Sequence, residues 1–327
     1  TTGVFAIYPL FVVGTLVLLG DISDHVGRRW TMLVALVCSL IGALTLAFAL
    51  DVEWLFAARA VMGIGVGLAS GASTAAILEF SSTRDPERAA SATNLAQALG
   101  FATALLLGGT LIQYAPYPLR LDFVVLATVI AVLIVAVWFL PSLAPSKKRW
   151  PPRLPHVPAA VRNAFGVASI AAATAFATGA VLLSLGGQVA HDLVGSANEL
   201  TNGAVLASFA IVSAMATIMA RRLRPQSALL LGSISTAIAV LLLWLATEAR
   251  SLPALLASTS LAGVSYAFLF LGALTLLNAA APADSRGGVF SAFYLVGYLC
   301  MGCCAIALGV VARAWGLTTA IGVAAVL

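Results

Sequence analysis

One charged residue lies well inside an apolar stretch of this chain. Arg59 falls about two helical turns after the start of the apolar run 54–79. A cation at such a depth in a membrane helix costs roughly 2.5–3.5 kcal/mol, so a compensating interaction is expected. Two interpretations stay open. The side chain either reaches the outer surface beside Asp51 and Glu53, or faces a central cavity and there binds an anionic group or modulates a proton site.

A short charged turn separates two long apolar runs, 3–19 and 30–50. Runs of spanning length joined by so few residues predict a tight helical hairpin across a bilayer. Glycines permit a sharp turn, aspartate accepts hydrogen bonds at a helix N-terminus, and arginines pair with carboxylates or lipid headgroups. The residues that carry this pattern are Gly20, Asp24, Gly27, Arg28 and Arg29.

Carboxylates are scarce in the apolar runs. Glu79 lies at the end of the run 54–79, where a carboxylate at a helix C-terminus is unfavourable unless a cation accompanies it. We expect either a partner in the basic loops or a solvated helix end. Asp122 is assigned to an outer loop. Glu79 is therefore the candidate proton carrier within this sequence.

Polar, uncharged residues inside the apolar runs are the candidates for a binding cavity. Two lie three residues apart on one helical face, and two tyrosines of the second half also share a face. Amide and aromatic groups together would suit an amphipathic, weakly charged organic molecule. Each could equally serve as an interhelical hydrogen bond or an interfacial aromatic. The candidates are Asn94, Gln97, Tyr266, Asn278, Tyr294 and Tyr298.

The composition is that of an integral membrane protein. Of 327 residues, 61% are hydrophobic and 9% charged, and mean hydropathy is +1.06, whereas soluble domains carry about 25% charged residues. The net charge of +5 is therefore no sign of nucleic-acid binding. No metal-ligand cluster, cofactor motif or nucleophile–base constellation is visible, and Cys300-x-x-Cys303 is interpreted as packing residues.

Ten apolar runs are long enough to span a membrane as helices, and an eleventh is incomplete. Most lysines and arginines fall in loops on the side of the 20–29 turn, which places that turn in the cytoplasm. The predicted spans are 3–19, 30–50, 54–79, 89–113, 121–140, 162–186, 199–220, 226–246, 253–278 and 288–312, with 315–327 incomplete.

The chain divides at a proline-rich basic segment. We predict an N-terminal helical bundle over 1–140, a cytoplasmic linker over 141–161 and a C-terminal bundle over 162–327. The halves repeat at an offset near 200 residues, at which Gly63 is echoed by Gly263. Parallel repeats of this kind occur in secondary transporters.

Three motifs resemble those of the major facilitator superfamily of secondary transporters. The 20–29 turn resembles its loop between the second and third helices. Leu55-x-x-x-Arg59-x-x-Met62-Gly63-x-Gly65-x-Gly67 resembles its fourth-helix motif, which is associated with proton coupling, although Met62 replaces the usual glutamine. The third motif resembles the fifth-helix mark of exporters without its proline, and ordinary helix packing explains it equally well. Its glycines are Gly100, Gly108 and Gly109.

The resemblance implies an all-α membrane fold of two pseudo-symmetric six-helix bundles, here lacking the first helix and part of the last. It also implies alternating access, with a cytoplasmic cluster of Asp24, Arg28 and Glu79 biasing the two states. The pattern is closest to bacterial proton-coupled efflux members, so we expect a monomer in the cell membrane that exports a small organic compound or drug in exchange for protons. We also expect that the protein uses no cofactor and is not an enzyme.

Two alternatives remain from the sequence. One is an importer or facilitator of a small organic anion, with Arg59 as the binding cation. The other, from a different class, is a non-transporting membrane sensor or scaffold. A lipid enzyme would need clustered His, Asp or Glu residues, which are not visible here.

Overall fold

The computed structural model describes residues 2–20, 22–80, 86–141, 157–188, 198–220, 223–280 and 286–326. Regular structure within these ranges is helical, with a 3₁₀ turn at Ala159–Val161 before α7. The α-helices are α1 (Thr2–Leu19), α2 (Ile22–Val26), α3 (Arg28–Ala47), α4 (Val52–Phe80), α5 (Pro86–Tyr114), α6 (Pro118–Trp138), α7 (Arg162–Gln188), α8 (Glu199–Ala220), α9 (Pro225–Glu248), α10 (Leu252–Ala280), α11 (Arg286–Trp315) and α12 (Leu317–Val326).

The all-α membrane fold is confirmed. Nine helices of the described chain are long and apolar enough to cross a bilayer, and Ile7–Leu19 of α1 forms a shorter apolar segment. Together they match the ten predicted spans. The helices α4, α5, α10 and α11 extend beyond the apolar runs to 29 or 30 residues, because less apolar flanking residues continue the same helix.

The glycines of the α4 motif face two different neighbouring helices. A Cβ added at Gly63 would lie 2.7 Å from the Tyr8 carbonyl oxygen, and one at Gly67 would lie 2.6 Å from Thr15 Cβ, so both face α1. Gly65 instead faces α3, 2.7 Å from the Ala35 carbonyl oxygen. Close backbone approach through small residues is how helices pack in lipid. The motif thus fixes α4 between α1 and α3.

The second half repeats this arrangement. A Cβ added at Gly263 of α10 would collide with the Phe209 carbonyl oxygen of α8, much as one at Gly63 would collide with α1. Gly232 of α9 packs against Leu269 of α10, and α9 and α10 pair as α3 and α4 do. The offset of 200 residues read from Gly63 and Gly263 thus relates equivalent helix contacts.

Among the described residues, two helix pairs make the most extensive contacts between the halves of the chain. Helix α1 packs against α11, and α5 packs against α8. At the second junction, a Cβ on Gly203 would lie 2.7 Å from the Leu105 carbonyl oxygen and 3.4 Å from Gly109 Cα. We use the term seam for the boundary between the two halves that these two helix pairs, α1 with α11 and α5 with α8, form. The bundle boundaries at 140 and 162 stay a prediction, and linker residues 142–156 lie outside the described chain.

The 20–29 turn folds around the short helix α2. Gly27, between α2 and α3, has φ 101° and ψ 144°, a conformation that is essentially restricted to glycine. Its N–H donates to the Ser23 carbonyl at 3.1 Å, and the Thr31 hydroxyl donates to the Gly27 carbonyl at 3.1 Å. The hairpin therefore turns at Gly27. Asp21 and the side chain of Asp24 lie outside the described part of the turn.

We predict that Gly263→Ala destabilises the folded protein by about 1–3 kcal/mol, because the added methyl group overpacks the α8–α10 contact. Gly179→Ala is the matched control, since a Cβ at this helical glycine would meet nothing within 4 Å and alanine is the better helix former. Unfolding in detergent micelles measures both. Equal stability of the two variants would contradict the close α8–α10 approach.

Candidate functional site

Arg59 points towards the seam rather than to the outer surface. Helix α4 places it one turn before Gly63, and its guanidinium interacts electrostatically with the Tyr8 phenol of α1. Asp51 does not bind Arg59. Its Oδ1 instead accepts hydrogen bonds from the backbone N–H groups of Glu53 and Trp54 at the start of α4, with N···O distances of 3.0 and 3.2 Å. The structure thus favours the central of the two orientations left open by the sequence.

The charge of Arg59 is incompletely satisfied. The side chain is half-buried, and its Nε is buried without a hydrogen-bond partner. Among the side chains that the structure describes, its interaction partner is the uncharged phenol of Tyr8. Met62, which stands where the motif usually has glutamine, packs against Gly42 of α3 and so points away from Arg59's partner helix.

A hydrogen bond crosses the seam between the halves. The Tyr298 hydroxyl of α11 and the Ser70 hydroxyl of α4 are hydrogen-bonded, and Tyr298 also interacts with the Tyr8 phenol. A Cβ added at Gly302, one turn further along α11, would lie 3.6 Å from Pro9 Cβ of α1. A polar chain therefore runs from Arg59 through Tyr8 and Tyr298 to Ser70.

An aromatic cluster flanks this polar chain in the second half. Tyr266 stacks on Phe270 with ring centroids 5.5 Å apart, and Phe176 meets Tyr298 edge-on at 5.2 Å. Tyr294 joins through Phe270 at 6.1 Å. These rings come from α7, α10 and α11, and offset or edge contacts hold them in place. Three of the predicted cavity residues, Tyr266, Tyr294 and Tyr298, thus lie together.

The aromatic contacts continue across the second junction. Tyr266 meets Phe209 of α8 at 5.6 Å, and Phe209 meets Phe101 of α5 at 6.4 Å. Rings therefore extend from the α1–α11 side of the seam to the α5–α8 side. A solute bound among them would contact both halves of the chain.

The second half has hydroxyl groups where the first half has Arg59. Thr259, offset by 200 residues from Arg59, is fully buried and its hydroxyl lies 2.9 Å from that of Ser208 on α8. Ser258 donates to the Ala239 carbonyl oxygen at 2.8 Å. These are interhelical bonds of the kind that join membrane helices. The cation at position 59 has no counterpart at position 259.

The arginines at the 20–29 turn have different environments. The Arg29 guanidinium lies over the rings of Trp30 and Trp138, at 5.9 and 5.2 Å from their centroids. Both tryptophans are exposed, as expected of an interfacial aromatic belt. Arg28 donates to the Ser23 hydroxyl. The predicted cluster of Arg28 with Asp24 and Glu79 stays a prediction, because neither carboxylate side chain is described.

The remaining candidate residues are less well defined. Gln97 on α5 is exposed, whereas the side chains of Asn94 and Asn278 lie outside the described set. A Cβ added at Gly100 would meet nothing within 4 Å. One at Gly108 would lie 3.7 Å from the Asp122 carboxylate, and Gly109 lies against Gly203 as described above.

Asp122 is not in an outer loop. Helix α6 begins at Pro118, so Asp122 lies in its second turn, half-buried and beside Gly108 of α5. The outer-loop assignment is wrong, because the apolar run 121–140 already includes residue 122 and helix α6 begins before that run. The proline at the first helical position extends the helix outward. A carboxylate therefore lies within α6.

The two cysteines that lie close together are Cys300 and Cys304, not Cys300 and Cys303 as the spacing in the sequence suggested. The Sγ atoms of Cys300 and Cys304 lie 3.9 Å apart on one face of α11, while Cys303 is exposed. All four cysteines are free thiols. No group of three or more metal-binding side chains occurs among the described residues.

Four residues of the site were not singled out from the sequence: Tyr8, Ser70, Phe176 and Phe270. Tyr8 carried a usable signal, since it is a polar aromatic in the middle of the apolar run 3–19. The others resemble ordinary helix residues. Only the packing of α1, α4 and α11 brings Ser70 and Tyr298 together.

Helices paired across a polar and aromatic seam, in two halves related by an internal repeat, define a secondary-transporter architecture. The family model "Major Facilitator Superfamily" matches residues 2–327. The chain therefore belongs to the major facilitator superfamily, a family of transporters rather than enzymes, and it is a multi-pass membrane protein.

Curated relatives match parts of the chain. The arabinose-proton symporter of Escherichia coli is 33% identical over 123 residues, which are 38% of this chain and 26% of that protein. Myo-inositol transporter 1A of Cryptococcus neoformans is 37% identical over 65 residues, 20% of this chain and 12% of that protein. The chain thus aligns with about a quarter or less of these relatives.

Solved structures share the fold. The D-xylose-proton symporter superposes with a TM-score of 0.78 at 16% identity, covering 99% of this chain and 84% of that one. The human organic anion transporter MFSD10 gives a TM-score of 0.71 at 18% identity, with 99% and 80% covered. At these identities the likeness concerns the fold. The relatives named as sugar transporters give no specific support to drug efflux.

We predict a measurable coupling between Tyr298 and Ser70. In a double-mutant cycle of Tyr298→Phe and Ser70→Ala, the interaction free energy should be about 0.6 kcal/mol, as for other hydrogen bonds between membrane helices. Unfolding in mixed micelles measures it. Tyr294→Phe with Ser70→Ala is the matched control and should be additive within about 0.5 kcal/mol. Additivity in both cycles would contradict the bond across the seam.

Proposed function

We propose that this protein is a proton-coupled secondary transporter of a small, hydroxylated organic solute, and that the solute binds at the seam. The observation that carries the proposal is the Tyr298–Ser70 hydrogen bond, which links the two halves beside the aromatic cluster. In alternating access, two bundles rock about a site that both contribute to. A solute that competes for such hydroxyls would couple its own binding to bundle movement.

Hydroxyl-bearing tyrosines and flat rings suit a sugar-like or polyol solute. Phenolic and serine hydroxyls exchange hydrogen bonds with solute hydroxyls, and rings cover its C–H faces. The curated relatives are named as arabinose, myo-inositol and sugar transporters, which supports the same class. The name of the arabinose relative also supports proton coupling by symport.

Efflux of a drug-like compound in exchange for protons is the second candidate. It is favoured by the ring contacts that run from Phe101 through Phe209 to Tyr266, since an apolar aromatic lining holds amphipathic molecules. For either direction we propose a cell-membrane location, a cytoplasmic 20–29 turn and linker, a monomer, and Glu79 as a proton carrier. The non-transporting sensor has no described feature in its favour.

The direction of proton movement distinguishes the candidates. The purified protein is reconstituted in liposomes that contain a pH-sensitive dye, and L-arabinose, myo-inositol or the lipophilic cation ethidium is added outside. Symport predicts that a sugar or polyol acidifies the interior, because solute and protons enter together. Antiport predicts that ethidium makes the interior more alkaline, because protons leave as it enters.

Protein-free liposomes and the Tyr298→Ala protein are the controls. Loss of the tyrosine ring and its hydroxyl should reduce solute-driven proton movement at least about tenfold, since a hydrogen bond and a stacking contact are both removed. If the folded protein moved neither protons nor labelled solute with any of the three compounds or with a sugar acid such as D-glucuronate, the proposal would be overturned.

A further inference from the structure

We propose that Arg59 and Tyr8 form a carboxylate-binding subsite, so that the transported solute is a hydroxylated organic acid rather than a neutral sugar. This inference rests on the proposed function and narrows its substrate class. It starts from the guanidinium of Arg59, which faces α1 at the seam and is half-buried. Its buried Nε has no hydrogen-bond partner.

The first argument is charge. A guanidinium within a membrane helix is costly unless a counter-charge or several acceptors compensate it. The side chains that the structure describes supply the Tyr8 phenol, a dipole without a charge. The nearest acidic residues in the sequence are Asp51, which directly precedes α4 and accepts backbone N–H groups, and the exposed Glu53 of α4. A solute carboxylate would supply the charge and accept two parallel N–H bonds.

The second argument is the internal repeat. Thr259 and Ser208 make the corresponding α8–α10 contact with two hydroxyl groups 2.9 Å apart. Ser208 directly precedes Phe209, whose carbonyl faces Gly263 as the Tyr8 carbonyl faces Gly63. Packing at this level of the helix pair therefore requires no cation. The Arg59 guanidinium and the Tyr8 hydroxyl, which Phe209 lacks, are available for binding.

The third argument is placement. Tyr8 interacts with Arg59 on one side and with Tyr298 on the other, and Tyr298 is bonded to Ser70. The subsite thus continues into the hydroxyl and aromatic groups of the seam. A solute with a carboxylate at one end and hydroxyls along its length matches this order. Sugar acids and related hydroxy acids have that chemistry, whereas a neutral sugar leaves the guanidinium uncompensated.

The test compares acids with their neutral parents as probes in the reconstituted protein. Uptake of labelled D-glucuronate and L-arabinonate is measured beside that of D-glucose and L-arabinose. We expect the acid of each pair to be preferred. Arg59→Thr should lower kcat/KM for the acids about 100-fold or more, because it leaves the desolvated solute carboxylate without its hydrogen-bonded cationic partner. Uptake of the neutral parents should change by less than about threefold.

Further variants separate binding from structural damage. The double variant Tyr8→Phe with Arg59→Thr copies Phe209 and Thr259 of the second half and should fold while losing preference for the acids. Arg59→Lys should retain part of it, since lysine keeps the charge but not the bidentate geometry. Arg120→Thr removes an exposed cation at the start of α6 and should leave uptake unchanged. Thermal stabilisation of the detergent-solubilised protein by glucuronate reports binding independently of transport.

The outcomes separate this inference from the proposed function. Uptake of neutral sugars without uptake or binding of acids would overturn the carboxylate subsite and leave the proposed function standing. Equal losses for acids and neutral sugars in Arg59→Thr and Arg59→Lys would overturn it too, because a carboxylate subsite must discriminate. So would unchanged acid uptake in Arg59→Thr with altered proton coupling, which assigns Arg59 to a proton site. Failure to take up either class would overturn the proposed function itself.

Discussion

The close approach of α1 and α4 is the contact on which the candidate site depends. Gly63 and Gly67 let the backbone of α1 approach where any side chain would collide with Tyr8 or Thr15. Lipid gives packed helices no hydrophobic driving force, so such backbone contact is a main source of their association. It places the Tyr8 phenol beside the Arg59 guanidinium. It also leaves Ser70, one turn beyond Gly67 on the same helix, opposite Tyr298 of α11.

The two halves use one packing scheme for different purposes. In the second half, the hydroxyls of half-buried Ser208 and buried Thr259 join α8 and α10, and the neighbouring rings pack into one cluster. In the first half, the equivalent contact holds a cation and a phenol that are both half-buried. The second half therefore contributes an aromatic surface to the candidate site, and the α1–α4 pair contributes a positive charge. A site built from both halves is loaded or emptied as they move relative to each other.

Hydropathy predicted the spans well, because the cost of exposing a polar backbone to lipid leaves long apolar helices as the solution for this composition. The spacing of Gly63, Gly65 and Gly67 predicted close packing but not its direction, since neighbours of a helix are set by contacts distant in sequence. Two side-chain assignments depended on such contacts. Asp122 lies in the second turn of α6, which starts at Pro118, three residues before the apolar run 121–140. Ser70 joins the site through α11, which lies more than 200 residues away in the chain.

The central claim is that solute occupies the seam between Ser70 and Tyr298. Its most direct test is protection of a Ser70→Cys protein, with the four native cysteines replaced by serine, from a small membrane-impermeant thiol reagent. The account predicts that modification is slowed in a concentration-dependent way by each transported solute, and that a cysteine at exposed Tyr117, between α5 and α6, is modified equally fast with and without solute. Equal modification of Ser70→Cys with and without a solute that the protein transports would contradict the claim.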